Sequence, residues 1–195
     1  MNTKTIFILS AIAGAAFYLY QSKNKKVVNA RGKAVKILNK VGREVKMIAT
    51  NISNYGVKLI KELETLQLKA YPDAGGFSIG YGHFMGLKPK YSLINEAQAD
   101  EFFKTDVSNV ESEMRKYIKV PLNQNQHDAL VSFFYNVGHK GFINKNGSQT
   151  HILQKLNASD YVGAANELDR WAFSKGVKNT ALENRRAREK ALFLA

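Results

Sequence analysis

The twenty residues from Glu64 to His83 constrain the fold of this chain more than any other stretch. They hold Pro72, then Gly75-Gly76, then Gly80 and Gly82, a density of helix breakers that leaves room only for turns and short strands. Upstream, residues Asn54 to Leu66 place Val57, Leu59, Ile60 and Leu63 on one helical face, with Ser53 or Asn54 as the cap. Glu64 then falls in the last turn of that helix. From Gln67 to Tyr71 polar and apolar residues alternate, Pro72 and Asp73-Ala74-Gly75-Gly76 make a turn, and Phe77 to Tyr81 is a second strand. The expected unit is a helix followed by a β-hairpin, with Glu64 facing Asp73 and Ser78.

Two carboxylates and a hydroxyl held in this way suit the cleavage of a glycosidic bond. One carboxyl protonates the leaving oxygen while the other steadies oxocarbenium-like charge and attacks it or activates a water. To serve as the acid, Glu64 needs partial burial or a carboxylate neighbour, and Leu63, Leu66 and the hairpin aromatics can provide the burial. Other chemistries lack their residues. The chain has no cysteine, so it offers neither a thiol nucleophile nor a disulfide framework. Its glycines form no phosphate-cradling motif, and His127, His139 and His151 are scattered without metal-ligand spacing. No cofactor and no metal are implied. His83 follows the second strand rather than the turn and is expected to be a structural histidine paired inside the small lobe.

The motifs resemble those of a known family, the phage-type lysozymes of glycoside hydrolase family 24, the endolysin muramidases. The resemblance runs through Glu64, Leu68-Lys69-Ala70-Tyr71-Pro72-Asp73, Gly75-Gly76 and Ser78-Ile79-Gly80-Tyr81-Gly82-His83. A second block, Asn123 to Gly138, is similar to the family's central helix, and a third, Ala164-Ala165 through Arg170-Trp171 to Ala187, to its C-terminal region. The resemblance implies that Glu64 is the general acid, Asp73 the carboxylate that activates or orients water, and Ser78 the replacement of a threonine that helps hold that water. It further implies that Arg185, or else Arg186, reaches the acid and orients it, and that Asn136 borders the sugar cleft. Two departures surround Ser78: the side chain lacks the methyl that stiffens a threonine rotamer, and the turn from Asp73 to Ser78 is one residue shorter than in the relatives. A carboxyl separation of about 6.5 to 9.5 Å would leave room for a water and give inversion at the anomeric carbon.

The expected fold is α+β and lysozyme-like, mostly helical, with a hairpin lobe near residues 67–83 and a larger helical lobe from about Glu96. Ala129, Leu130, Phe133, Phe134, Ala164, Leu168, Trp171 and Leu192 are its core candidates, with Trp171 as packing rather than a sugar-stacking surface. The implied substrate is the alternating N-acetylmuramic acid and N-acetylglucosamine chain of bacterial peptidoglycan.

Ahead of this domain, at residues 53–195, two further segments are expected: a membrane anchor or signal-anchor at 1–22 and a basic amphipathic helical stem at 23–52. The apolar run at residues 5–20 is a little short of the roughly 20 residues of a bilayer span. A cleaved signal peptide, an uncleaved anchor with Tyr18 and Tyr20 at the interface, and a buried helix compete for it; the anchor fits best. In the stem, Ala34, Leu38, Val41, Val45, Ile48 and Ile52 form a heptad-like stripe among lysines and arginines.

Of the formal net charge of +13, residues 1–51 carry ten basic and one acidic side chain. Basicity gathered there suits anionic phospholipid or cell-wall polymer, with nucleic acid the weakest partner because no nucleic-acid fold accompanies the charge. The stem can also pair with itself. Charge bias places the basic side in the cytoplasm, against the needs of a wall hydrolase. The domain is therefore expected at the host inner membrane facing the periplasm, exported as signal-anchor-release endolysins are, or on a virion membrane. A non-enzymatic alternative makes the domain a structural or wall-binding virion module.

Overall fold

A computed structural model describes residues 51–73, 75–174 and 176–195. The expected anchor, and all but the last two residues of the expected stem, lie outside the described residues. Among the described residues no helix is long and apolar enough to cross a membrane.

Helix α1, Asn54–Glu64, starts where Ser53 turns its hydroxyl back to accept from the N–H groups of Tyr55 and Gly56. It stops two residues short of the periodic pattern because Thr65 takes φ 53°, which a right-handed helix cannot absorb. Leu66 thereby leaves the helical face and joins Leu68 and Ala70 against Ile79, Ile94 and Ala99.

The expected hairpin is a three-stranded antiparallel sheet in the order β1-β2-β3, with β1 Gln67–Asp73, β2 Gly76–Gly80 and β3 His83–Gly86. The third strand is only four residues long and follows Gly82 at φ +87°, so it is too short to show an alternating pattern in the sequence. On the other side of the sheet, Ala70 N–H donates to Ser92 and Ile94 N–H to Leu68, which covers the edge of β1.

Helix α2, Glu96–Tyr117, opens with a reciprocal capping box between Asn95 and Gln98. Its 22 residues reach about 33 Å. Its early residue Ala99 belongs to the core under the sheet, while Phe103, Val107 and Met114 belong to the core of the helical lobe. Helix α3, Gln124–Val137, has a second capping box from Asn123 to Gln126 and is buried without interruption from His127 to Phe134. A helix buried on every side is the centre of its lobe. Around it stand α4 His151–Asn157, α5 Tyr161–Glu167 and α6 Thr180–Leu194, with a two-residue hairpin of β4 Phe173–Ser174 and β5 Val177–Lys178 before α6. That hairpin is too brief to be read from sequence. Ala129, Leu130, Phe133, Phe134, Ala164 and Leu168 are fully buried, and Trp171 and Leu192 pack against them half-buried.

Residues 51–53 are tied to the helical lobe by polar groups. Ile52 N–H donates to Glu111 Oε1 at 2.6 Å and Ser53 N–H to Asp128 Oδ1 at 2.9 Å, while the Ser53 hydroxyl donates to Asp128 Oδ2. Gln124 Nε2 bridges Asn51 O and Asp128 Oδ1. Gly56 permits this approach, since a Cβ there would lie 2.8 Å from Asp128 Cγ. Burial pushes the Asp128 carboxyl up, but the His127 ring, the Ser53 hydroxyl and amide, and Gln124 outweigh it and hold it below the ordinary value.

A carboxyl depressed by folding contributes stability above its unfolded pKa of about 3.9, and that contribution is lost as pH falls through the lower folded value. Asp128→Asn is therefore expected to cost about 1–3 kcal/mol at pH 7 in urea denaturation. The gap between parent and variant should close as pH drops below about 4; a gap independent of pH would contradict this account.

Candidate active site

Glu64 closes α1 with its side chain 17% exposed, between the helical lobe and the sheet. Its Oε1 accepts from Arg185 Nη1 at 2.6 Å. Its Oε2 points the other way, 3.4 Å from where a Cβ on Gly82 would stand, in the turn between β2 and β3. One oxygen is fixed by a guanidinium and the other is directed at the small lobe.

Arg185 is itself held from behind. Its Nε donates to Glu189 Oε1 at 3.1 Å and its Nη2 to the Ser132 carbonyl at 3.2 Å, while the Ser132 hydroxyl donates to the same Glu189 oxygen at 2.7 Å. The second oxygen of Glu189 lies 3.1 Å from Arg186 Nη1, and Arg186 Nη2 donates to Asn136 Oδ1. Glu189 has no exposure, and burial pushes its carboxyl above the ordinary value against the pull of Arg186 and Arg185. Burial likewise brings the Arg186 guanidinium down to about 10, still charged at neutral pH. Sequence reasoning gave Glu189 no role. Its spacing four residues after Arg185 and three after Arg186 is that of an ordinary surface pair on a helix, and only its burial between α3 and α6 separates it from one.

Asp73 ends β1 and Ser78 lies inside β2, where the Ser78 hydroxyl donates to Asp73 Oδ2 at 2.9 Å. Ser78 is wholly buried while Asp73 is exposed. Tyr71, opposite Ser78 in the register, is a second residue without an assigned role from sequence. Burial first, then the charges of Asp73 and Glu64, raises its phenol above the ordinary value, with Ser78 opposing, so this hydroxyl feels both carboxylates. Tyr135 ties the lobes together, its hydroxyl donating to Tyr81 O at 2.8 Å.

The remaining candidates divide. Asn136 is exposed near the end of α3, with its side-chain oxygen engaged by Arg186. Arg186 thus serves Asn136 and Glu189, and Arg185 is the arginine on Glu64. His83 does not pair within the small lobe: its Nδ1 lies 2.9 Å from Asp106 Oδ2 and its ring stacks on Phe102 at 4.5 Å, both on α2. Strand β3 lies beside α2, so the nearest carboxylate comes from the helix. Trp171 meets Phe133 edge-on at 5.3 Å. Among the described residues no cluster of three His, Cys, Asp or Glu side chains forms a metal site.

Removing one member of a buried ion network leaves the others uncompensated. Glu189→Gln is expected to cost about 3–5 kcal/mol in urea denaturation. Glu64→Gln should cost much less, because Arg185 then keeps Glu189; equal losses would contradict this order.

Residues 61–189 match the phage lysozyme family. An endolysin of Acyrthosiphon pisum secondary endosymbiont phage 1 is 40% identical over 148 residues, covering 73% of this chain and 97% of that protein. A SAR-endolysin of Escherichia phage Mu is 33% identical over 132 residues, covering 67% of this chain and 74% of the relative. The crystal structure of a P22 lysozyme mutant superposes with a TM-score of 0.61 at 34% identity, over 74% of this chain and 99% of that one. The chain belongs to the phage lysozyme family and is a muramidase.

Proposed function

We propose that this muramidase cleaves the bond between N-acetylmuramic acid and N-acetylglucosamine in peptidoglycan, with Glu64 as general acid and Asp73, aided by Ser78, orienting the attacking water. The observation that carries this reading is the division of labour on Glu64: Arg185 occupies Oε1, and Oε2 is aimed at the lobe that bears Asp73 and Ser78. A proton on Oε2 passes to the glycosidic oxygen as the bond to the anomeric carbon breaks and its electron pair leaves with that oxygen. Water then attacks the anomeric carbon from the side of Asp73, which accepts the water's proton. Ser78 donates to one Asp73 oxygen and so fixes which one faces the water. With a water between the carboxyls, the product inverts. Asn136 and Arg185 are the substrate-bordering and acid-orienting residues of this scheme.

The same proposal places the chain on a membrane through residues 5–20, as a phage lytic enzyme acting from the host inner membrane toward the periplasm or from a virion membrane. The apolar run and the SAR-endolysin relative support the tether, and the basic residues after the run suit an anionic lipid surface. The stem at 23–52 then meets anionic lipid or a second stem, and the catalytic domain spans 53–195.

On purified peptidoglycan, Glu64→Gln and Asp73→Asn in the full chain should each lower turnover at least about 10²-fold. Equal turnover in the parent and both variants would refute the roles given to these carboxylates. Separately, full-length protein should sediment with membranes and resist salt extraction. Recovery in the soluble fraction with residues 1–22 intact would refute the tether.

A further inference from the structure

The loop from Leu87 to Leu93, reading Leu-Lys-Pro-Lys-Tyr-Ser-Leu, belongs neither to the carboxylate site nor to an apolar core. It leaves β3 after Gly86 and ends on the outer edge of β1, where Ala70 N–H donates to Ser92 O at 3.1 Å and Ile94 N–H to Leu68 O at 3.0 Å. Between these ends the Tyr91 ring rests on Phe102 of α2, with 5.5 Å between centroids. Pro89 restricts the span further. Held at three points, the loop keeps its side chains where they stand. Leu87 is 81% exposed, Leu93 62% and Tyr91 37%, whereas Ile94, the next residue, is buried under the sheet. Single exposed apolar residues are ordinary, but three on one short pinned loop make a patch.

The charge on this patch has one sign. Lys88 and Lys90 lie between the apolar residues, and Lys69 stands opposite Leu93 in an antiparallel bridge, so those two side chains project from the same side. Residues 87–95 contain no acid. Nearby lysines are paired, Lys61 with Asp100 and Lys104 with Glu101, but Lys69, Lys88 and Lys90 meet no carboxylate among the described residues. Lys90 Nζ instead lies 5.9 Å from the centre of the Tyr91 ring, which keeps the cation beside the aromatic.

We propose that this loop is a lipid-contacting surface: Leu87 and Leu93 enter the headgroup boundary of an anionic bilayer, Tyr91 lies at that boundary, and Lys69, Lys88 and Lys90 meet lipid phosphates. Leucine suits the acyl side of an interface and tyrosine, with its apolar ring and polar tip, the headgroup level. Lysine reaches phosphate along a flexible stem. An anionic wall polymer offers charge but no apolar layer, so the bilayer is the partner that satisfies both halves of the patch. The inference rests on the membrane location proposed above and adds a contact made by the enzyme domain itself, separate from residues 5–20.

The test uses the full chain. Because the sequence has no cysteine, Leu87→Cys gives a single attachment point for an environment-sensitive fluorophore, and Val162→Cys, at a 63% exposed position on the helical lobe, gives the control. Each protein is mixed with vesicles of phosphatidylcholine alone or with added phosphatidylglycerol. Sedimentation reports the tether, and quenching by brominated acyl chains reports the loop. On the mixed vesicles the label at 87 should shift to the blue and be quenched, while the label at 162 should do neither. Lys88→Gln and Lys90→Gln should each lower the ratio of inserted to free loop about fivefold. A label at 87 that stays as aqueous as the one at 162, on vesicles that sediment with the protein, would overturn the lipid contact and leave the tether intact. Quenching at 87 that needs phosphatidylglycerol, without sedimentation on phosphatidylcholine alone, would uphold the loop and overturn the tether. Failure to sediment on either vesicle would overturn both. An equal blue shift with poly(glycerol phosphate) and no lipid would assign the loop to wall polymer and overturn the bilayer contact.

Discussion

The structure depends on a charge set buried between α1 and α6. Arg185 on α6 reaches Glu64 on α1, 121 residues away in sequence, and Arg185 and Arg186 share Glu189. The set brings two guanidiniums together with the side chains of Glu64 and Glu189. Such groups are costly to desolvate and are tolerated only when paired and hydrogen-bonded. Ser132 and its carbonyl supply those further bonds from the buried central helix. The position of Glu64 is therefore set by three helices rather than by its own helix end.

The long helix α2 has the complementary task. Its first turns cover the back of the sheet and its later turns enter the helical lobe, so one rigid element fixes the spacing of the two lobes. His83 on Phe102 and Lys61 on Asp100 tie the sheet and α1 to it, and Tyr135 on α3 reaches Tyr81 O across the lobes. The sheet can then give one face to packing and leave Asp73 exposed at the end of β1, with the buried Ser78 hydroxyl behind it. A short sheet covered on one face only is stable because α2 and residues 92–94 close its back and edge.

Local signals were legible in the sequence wherever one residue type does one physical task. Ser53 caps α1 because a short polar side chain can reach a free N–H, and the chain turns between β1 and β2 where Gly75 takes φ 85°. What escaped was set by distance or brevity. Strand β3 and the β4–β5 hairpin are too short for periodicity, and Thr65 ends α1 by a conformation its side chain does not favour. His83 took its partner from α2 because strand order, which no local pattern encodes, places β3 beside that helix.

The sequence by itself determined the element order around residues 54–83, the apolar centre of α3 and the residues able to do acid–base chemistry, because capping, turn formation and periodicity act over a few residues. Only the tertiary structure decided which oxygen of Glu64 is engaged, that Arg185 rather than Arg186 meets it, and that Glu189 anchors both. These are relations between surfaces brought together by burial. The physical cost of an unpaired buried charge selects among partners that sequence spacing leaves equivalent.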